Sequence, residues 1–204
     1  MSLLPSLPSS LFKTERMHNY RPLLTLSMKS ISLFLGCFLA AYNVIGQDAS
    51  TLQGDNRGYT VKIGDAIPDF SLRDLDGMVH TNTSLLGTTY VLQFTASWCG
   101  VCRKEMPHLE SAVWQRFKND DFILLGVDLD EPREKVVDFA LSMAITYPIA
   151  PDPNGKLFYA VAAPKSGVTR NIVVDKDGKI AFLTRLFETE EFDHMVRVID
   201  RLLN

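Results

Sequence analysis

Two β-rich runs separated by one helical stripe constrain the fold of this chain most. Thr89–Thr95 is almost continuously apolar, β-branched or aromatic, and Phe122–Leu129 has the same character. Such runs are typical of strands that are covered on both faces. Between them, residues 102–118 carry an apolar helical stripe interrupted by Pro107, which predicts a kinked helix. Strand, helix and strand in this order predict a parallel pair joined by a crossover helix.

The rest of the chain adds further helical and strand patterns around this unit. Asp130-Glu131-Pro132 opens a second helix, with Asp130 as its cap and Pro132 in its first turn. Asp76-Gly77 supplies the turn of a short leading hairpin. The later elements are a short helix at 156–161, strands at 172–174 and 179–187 joined by a tight turn, and a last helix from Thr189. Together they predict an α/β sandwich of three layers, with an N-terminal hairpin extension.

Composition and charge indicate a globular domain and argue against nucleic-acid binding. The chain has 204 residues, of which 46% are hydrophobic, which is enough for one globular domain with a proper core. Its formal net charge of -3 provides no basic surface of the kind that nucleic-acid binding requires. Nucleic acid is therefore excluded as an expected partner.

The N-terminal segment has the pattern of a secretory signal. Lys29 precedes an apolar run at 31–41 that ends in small and polar residues, and the run is too short to span a bilayer. We therefore divide the chain into an extension and signal peptide at 1–47, a polar linker at 48–58 and one folded domain at 59–204. Met17 or Met28 would give a more usual start. A retained membrane anchor, or a lipoprotein modified at Cys37, remains an alternative, and membrane contact is expected only if the signal is retained.

The cysteines point to redox chemistry. Cys99 and Cys102 close a very small loop, so a bond between them would be a poor structural staple, and reactivity explains the pair better. Cys99 stands where a buried strand meets a helix N-terminus, which favours a thiolate. Cys99 would attack a substrate disulfide, and Cys102, one turn on, would resolve the mixed disulfide. A zinc half-site and an inert buried pair are the alternatives; no cofactor and no metal are expected.

The stretch Trp98-Cys99-Gly100-Val101-Cys102-Arg103-Lys104-Glu105-Met106-Pro107 resembles the active site of the TlpA-like and ResA-like thiol-disulfide oxidoreductases. The opening at 64–72 is similar to that family and to the peroxiredoxins. The resemblance implies a thioredoxin-like fold with a central mixed β-sheet and an enzyme that reduces protein disulfides through its CxxC dithiol. It also implies the periplasm of a Gram-negative bacterium, or a membrane tether. The implied partners are disulfide-containing envelope proteins, apocytochromes among them, and an upstream thiol donor.

The same resemblance assigns roles to residues around the pair. Glu105 stands where ResA-like proteins keep a glutamate, which implies a catalytic role in managing the proton of the resolving thiol; a surface acid with a basic neighbour is the alternative. Trp98 would shape the substrate platform, together with Val168, Thr169 and Arg170. Thr169 stands where the fold ordinarily holds a cis-proline, and a trans bond there could hold a similar loop. Arg170 would stabilise the Cys99 thiolate, or would be solvated or paired.

Two other functions remain open. A peroxiredoxin-like thiol peroxidase shares the opening segment, but peroxiredoxins place a proline and a threonine shortly before their cysteine, and residues 94–99 lack the proline. A thioredoxin-fold binding module with a permanently oxidised pair is the non-enzymatic alternative. A further departure is Gln93, which occupies the position where thioredoxin buries an aspartate.

Overall fold

The computed structural model describes residues 57–204. The predicted signal peptide, its possible anchor or lipid site at Cys37, the alternative starts and most of the linker lie outside the described residues. The strands are β1 (Ser71–Arg73), β2 (Val79–Thr81), β3 (Thr89–Thr95), β4 (Phe122–Leu129), β5 (Ile149–Asp152), β6 (Arg170–Val174) and β7 (Ile180–Arg185). The helices are α1, which begins as Gly100–His108 and continues through π-helical Leu109–Trp114 to Gln115–Phe117, then α2 (Arg133–Met143), α3 (Lys156–Val161) and α4 (Thr189–Leu203).

A five-stranded mixed sheet forms the centre of the domain. Its strand order is β5-β4-β3-β6-β7; β3, β4 and β5 run parallel, and β6 and β7 pair antiparallel. The leading hairpin of β1 and β2 forms a separate two-stranded sheet. The predicted α/β architecture, with its central mixed sheet and N-terminal hairpin, is therefore confirmed. No helix within residues 57–204 is long and apolar enough to cross a membrane.

Hydrophobic clusters cover both faces of this sheet. One cluster joins Leu92 and Phe94 of β3 to α3 and to the two cysteines, and the other joins Val91 to the apolar sides of α1, α2 and α4. Every residue of β3 is buried, because its alternate side chains enter one cluster or the other. Truncating Leu92 to alanine would thus cost about 2–5 kcal/mol of stability. Because β3 is buried on both faces, it fixes the position of the segment that follows it, and this segment contains Cys99 and Cys102.

The structure corrects the prediction for Asp130. Asp130 has a positive φ of 53°, and the residue that caps α2 is Pro132, which makes no side-chain cap hydrogen bond. The Asp130 carboxylate instead accepts a 2.8 Å hydrogen bond from the Asn154 N–H. Asp130 therefore ties β4 to the turn after β5 rather than starting the helix.

Two further elements differ from the prediction. The expected interruption of α1 at Pro107 takes the form of a π-helical stretch that begins at Leu109. Strand β5 was not predicted at all, because its short sequence contains Pro151 and follows Pro148. Proline is tolerated there because β5 is an edge strand. On its outer side, the Ile149 carbonyl accepts a 3.0 Å hydrogen bond from the Leu75 N–H of the hairpin turn.

Candidate active site

The two cysteines lie at the start of α1, directly after β3. Cys99 is the N-cap of the helix, and its Sγ accepts a 3.2 Å hydrogen bond from the Cys102 N–H. The two residues form a disulfide. Cys99 keeps 7% of its surface exposed, whereas Cys102 is fully buried. A partner molecule can therefore reach Cys99 first, as the predicted order of attack and resolution requires.

Thr169 lies against both sulfur atoms. Its Oγ1 is 3.1 Å from the Cys99 Sγ and 3.2 Å from the Cys102 Sγ, and the residue is 2% exposed. Because neither sulfur of a disulfide carries a hydrogen, the hydroxyl is the donor in these contacts. No cis peptide bond occurs within residues 57–204, so Thr169 reaches the sulfurs from a trans backbone.

Glu105 lies inside the protein, on the same side of α1 as Cys102. It is 1% exposed, and its Oε1 accepts a 2.7 Å hydrogen bond from the Asn171 Nδ2. Burial raises the pKa of Glu105 to about 8; the Asn171 hydrogen bond opposes this and the charge of Glu191 adds to it. The alternative of a surface acid is therefore wrong. A buried carboxyl that titrates near neutral pH is suited to exchange a proton with a thiol.

Strand and helix periodicity bring these groups together. Thr169 and Asn171 are two residues apart in an extended segment, so they face the same way, while Cys102 and Glu105 are one helical turn apart on α1. The Thr169 hydroxyl thus contacts the two sulfur atoms, and the Asn171 amide contacts the Glu105 carboxyl. The role of Asn171 was missed by sequence reasoning, although its spacing from Thr169 was a usable signal.

Gln93 supplies a neutral side chain at the strand position where thioredoxin buries an aspartate. It is fully buried and lies opposite Asn171 in the register of β3 and β6, and its Oε1 accepts a 3.4 Å hydrogen bond from the Tyr147 hydroxyl. Within the described residues, the Gln93 Nε2, Glu105 Oε2 and Asn171 Oδ1 atoms are buried without a hydrogen-bond partner. Since a glutamine does not titrate, Glu105 is the carboxyl in this cluster that can exchange a proton, with its pKa raised to about 8.

Glu131 holds the residue that precedes the exposed tryptophan. Its carboxylate accepts hydrogen bonds from the Ser97 N–H at 2.5 Å and the Ser97 hydroxyl at 2.7 Å. Burial opposes ionisation of Glu131, but its hydrogen bonds from Lys135 and Ser97 outweigh burial and lower its pKa. Burial, reinforced by the nearby Glu131 charge, raises the pKa of Asp128 to about 8. Sequence reasoning missed this acid pair, although two acids near the end of a buried strand were a signal.

The remaining predicted platform residues differ in exposure. Trp98 is 63% exposed beside Cys99, so it is available to a substrate. Val168 is 3% exposed, so its side chain is not available to a substrate. Arg170 is fully buried, and its guanidinium lies 4.5 Å from the centre of the Tyr59 ring. The same guanidinium donates to the carbonyls of three loop residues, Gly58, Ser166 and Gly167.

These contacts favour the alternative of a paired Arg170, while its action on the thiolate stays a prediction. Within residues 57–204, no cluster of three or more His, Cys, Asp or Glu side chains is arranged to hold a metal ion.

Comparisons with known proteins agree with this geometry. The family model described as Redoxin matches residues 62–203. Thiol-disulfide oxidoreductase ResA of Geobacillus thermodenitrificans is 31% identical over 120 residues, which cover 59% of this chain and 67% of that protein. A solution structure from Bacteroides thetaiotaomicron, described as a candidate protein disulfide isomerase, is 50% identical with a TM-score of 0.69 and covers 72% of this chain and 92% of its own.

A crystal structure of a Chlorobium tepidum protein, described as a candidate thiol:disulfide interchange protein DsbE, is 26% identical with a TM-score of 0.62. It covers 71% of this chain and 100% of its own.

Proposed function

This chain belongs to the Redoxin family and is a thiol-disulfide oxidoreductase, and from that premise we propose that it reduces protein disulfides outside the cytoplasm. In the reducing direction, the Cys99 thiolate attacks a substrate disulfide and one substrate thiolate leaves. The Cys102 thiolate then attacks the Cys99 sulfur, and the second substrate thiolate leaves. Two electrons pass to the substrate, and the Cys99–Cys102 disulfide remains.

The proposal that the pair reduces its substrates, and does not oxidise them, rests on the neutral surroundings of the Cys99 sulfur. The two hydrogen-bond contacts that the described residues make with Cys99 Sγ come from the Cys102 N–H and the Thr169 hydroxyl, and neither group is charged. Strong stabilisation of the reduced form makes a dithiol protein an oxidant, as in DsbA. Modest stabilisation by neutral donors favours a reductant instead.

Glu105 serves the resolving step in this proposal. Cys102 must lose a proton before it can attack, and it lies one turn before Glu105 inside the protein. The buried carboxyl accepts that proton when it is ionised, and it returns the proton when an upstream thiol donor opens the disulfide again. The protonation state of Glu105 is therefore the same at the end of each catalytic cycle as at its beginning.

The proposed location and partners follow from the N-terminal pattern and the family. The segment at 1–47 has the features of a secretory signal, which would place the domain in the periplasm, or at the membrane if the signal is retained. The substrates proposed there are disulfide-containing envelope proteins, with apocytochromes as one class. The exposed Trp98 beside Cys99 supports a protein substrate, because an aromatic platform offers contact area to a polypeptide.

Trapping with Cys102→Ser in the full chain tests this function. Without its resolving thiol, the protein should stay covalently attached to its substrates through Cys99, and the double variant Cys99→Ser/Cys102→Ser is the matched control. Exported proteins should dominate the attached set. If Cys102→Ser captures nothing that the control does not, a binding module is the better description.

Two further measurements address direction and competing chemistry. Equilibration with glutathione should give a potential nearer to the ~-270 mV of thioredoxin than to the ~-120 mV of DsbA. A potential near that of DsbA would mean that the protein oxidises its substrates.

Peroxide consumption should be no faster for the native protein than for Cys99→Ser. A clearly faster rate for the native protein would support a peroxidase.

A further inference from the structure

We propose that Thr169 is a catalytic residue, whose hydroxyl donates a hydrogen bond to whichever cysteine sulfur carries negative charge during exchange. This assignment goes beyond a role in the substrate platform. It rests on the dithiol chemistry of the pair and does not depend on whether the protein reduces or oxidises its substrates.

The position of the hydroxyl is the first argument. The Thr169 Oγ1 lies 3.1 Å from one sulfur and 3.2 Å from the other, so it is almost equidistant from the two reacting atoms. A threonine hydroxyl has one hydrogen and donates it to one acceptor at a time. A rotation of the O–H bond is therefore enough to turn the hydrogen bond from one sulfur to the other.

The rigidity of Thr169 is the second argument. Its carbonyl accepts hydrogen bonds from the Leu186 N–H at 3.2 Å and from the Arg185 Nη1 at 3.0 Å. The side chain is β-branched, which restricts its rotamers, and it is 2% exposed, which keeps bulk water from competing for the sulfurs. The donor is thus held in place before any charge develops, and little reorganisation is needed when it does.

The reaction uses this donor at both nucleophilic stages. In the reduced protein, the Cys99 thiolate accepts from the Thr169 hydroxyl and the Cys102 N–H. Once Cys99 has formed the mixed disulfide, its sulfur is neutral, and the hydroxyl turns to the Cys102 thiolate as that thiol gives its proton to Glu105. Cys102 then bonds to the Cys99 sulfur, and the electron pair of the broken bond leaves on the substrate sulfur. Thr169 transfers no proton and is unchanged at the end.

The chemistry of the residue type completes the argument. A proline, which the fold ordinarily holds here, has neither a hydroxyl nor a backbone N–H, so it offers the sulfurs no conventional donor. Threonine supplies one at the same place. The replacement of proline therefore gives this chain a donor for the thiolates.

The pH dependence of Cys99 alkylation in the reduced protein tests the proposal. Thr169→Val keeps the shape of the side chain and removes the hydroxyl, and Thr169→Ser keeps the hydroxyl. Because hydrogen bonds to charged groups are among the stronger ones, Thr169→Val should lower the alkylation rate below the Cys99 pKa by about tenfold. Thr169→Ser should restore the rate to within about threefold of the native protein.

A matched control is Thr95→Val. Thr95 is also a buried threonine whose hydroxyl contacts a sulfur, the Met106 Sδ at 3.6 Å, and its removal should leave the alkylation profile of Cys99 unchanged. Denaturant unfolding of each variant confirms that the domain is intact. If Thr169→Val has the native profile, or if Thr169→Ser behaves like Thr169→Val, the hydroxyl is not the donor. Alkylation needs no protein substrate, so this result is independent of the trapping experiment.

Discussion

The Nδ2 atom of Asn171 lies 2.7 Å from the Oε1 atom of Glu105, and both side chains are buried. The same amide group also donates to the Thr184 hydroxyl at 2.9 Å. Both hydrogens of the amide are thus engaged, so its orientation is fixed and a donor always faces the carboxyl. Since a donor favours the charged form of a carboxyl, Asn171 limits the rise in the pKa of Glu105 that burial causes.

Asn171→Ala should therefore move the pH dependence of the resolving step upward. Without the amide donor, the pKa of Glu105 rises above about 8, and a higher pH is needed to ionise it. The measurement is the rate at which Cys102 resolves a preformed mixed disulfide, followed from neutral to alkaline pH. Asn82→Ala, in the hairpin region, is the control. An unchanged midpoint in Asn171→Ala would show that the amide does not govern this proton.

Glu105→Gln should flatten the pH dependence of stability in the oxidised protein. The pKa of Glu105 is about 8 in the folded state against an ordinary 4.5, so the native state keeps a proton that the unfolded chain loses between these values. Stability therefore falls as pH rises through this window, by up to ~1.4 kcal/mol per pH unit for one such group. Urea unfolding between these limits measures the slope. Equal slopes for the variant and the native protein would contradict the raised pKa.

Asp128→Asn provides the comparison for that experiment, because burial raises the pKa of Asp128 to about 8 as well. It should remove a further part of the slope, and the two effects should add. The disulfide-exchange profile separates the two acids: Glu105→Gln should alter it, since Glu105 lies one turn from Cys102, while Asp128→Asn should leave its midpoint in place.

Glu131→Ala should weaken the reaction with proteins more than the reaction with a small disulfide. The change leaves the Ser97 N–H and hydroxyl without their acceptor, which frees the segment that presents Trp98. We expect a loss of about tenfold in kcat/KM with a protein substrate and a smaller loss with oxidised glutathione. Lys135→Met, which removes the ion pair with Glu131 but not the hydrogen bonds from Ser97, is the matched control. Similar losses for both substrates would mean that Glu131 acts on the cysteines instead.

Arg170→Met should lower the free energy of unfolding by about 3 kcal/mol, because it removes the hydrogen bonds that the buried guanidinium donates to the part-buried carbonyls of Gly58, Ser166 and Gly167. Since those carbonyls and the Tyr59 ring already hold the guanidinium, we expect the alkylation profile of Cys99 to change little. Thermal unfolding and thiol alkylation of the same sample give both answers. A clear upward shift in the Cys99 profile would instead restore the predicted action of Arg170 on the thiolate.

The strands β3 and β4 could be predicted to their end residues because each is a continuous run that must be buried on both faces. The cysteine pair could be predicted equally well, because its position between a strand and a helix follows from the local sequence. Strand β5 was hidden because Pro151 is unfavourable in a central strand and is tolerated only at an edge. Edge position depends on the whole sheet order, which no local pattern specifies.

The surroundings of the cysteines were harder to predict, because they depend on pairing between distant strands. Asn171 contacts Glu105 only because β6 lies antiparallel beside β3. Glu131 contacts Ser97 only because β4 lies parallel to β3 on the opposite side of β3 from β6. The burial of Glu105 did leave a local signal, since it lies on the same helical face as Cys102 and Leu109. A glutamate on a helix is usually solvated, so that signal alone was ambiguous.

The outer side of β5 has a consequence for how this protein behaves in a crowded solution. Free strand edges invite foreign strands to pair and begin aggregates. Alternate residues of β5 face β4, as the hydrogen bond from the Asp130 N–H to the Asp152 carbonyl shows, so Ile149 and Pro151 face away from it. The Ile149 carbonyl is already occupied by Leu75, and Pro151 has no hydrogen to donate. Pro151, which made β5 difficult to predict from the sequence, thus also protects the folded domain against self-association along this edge.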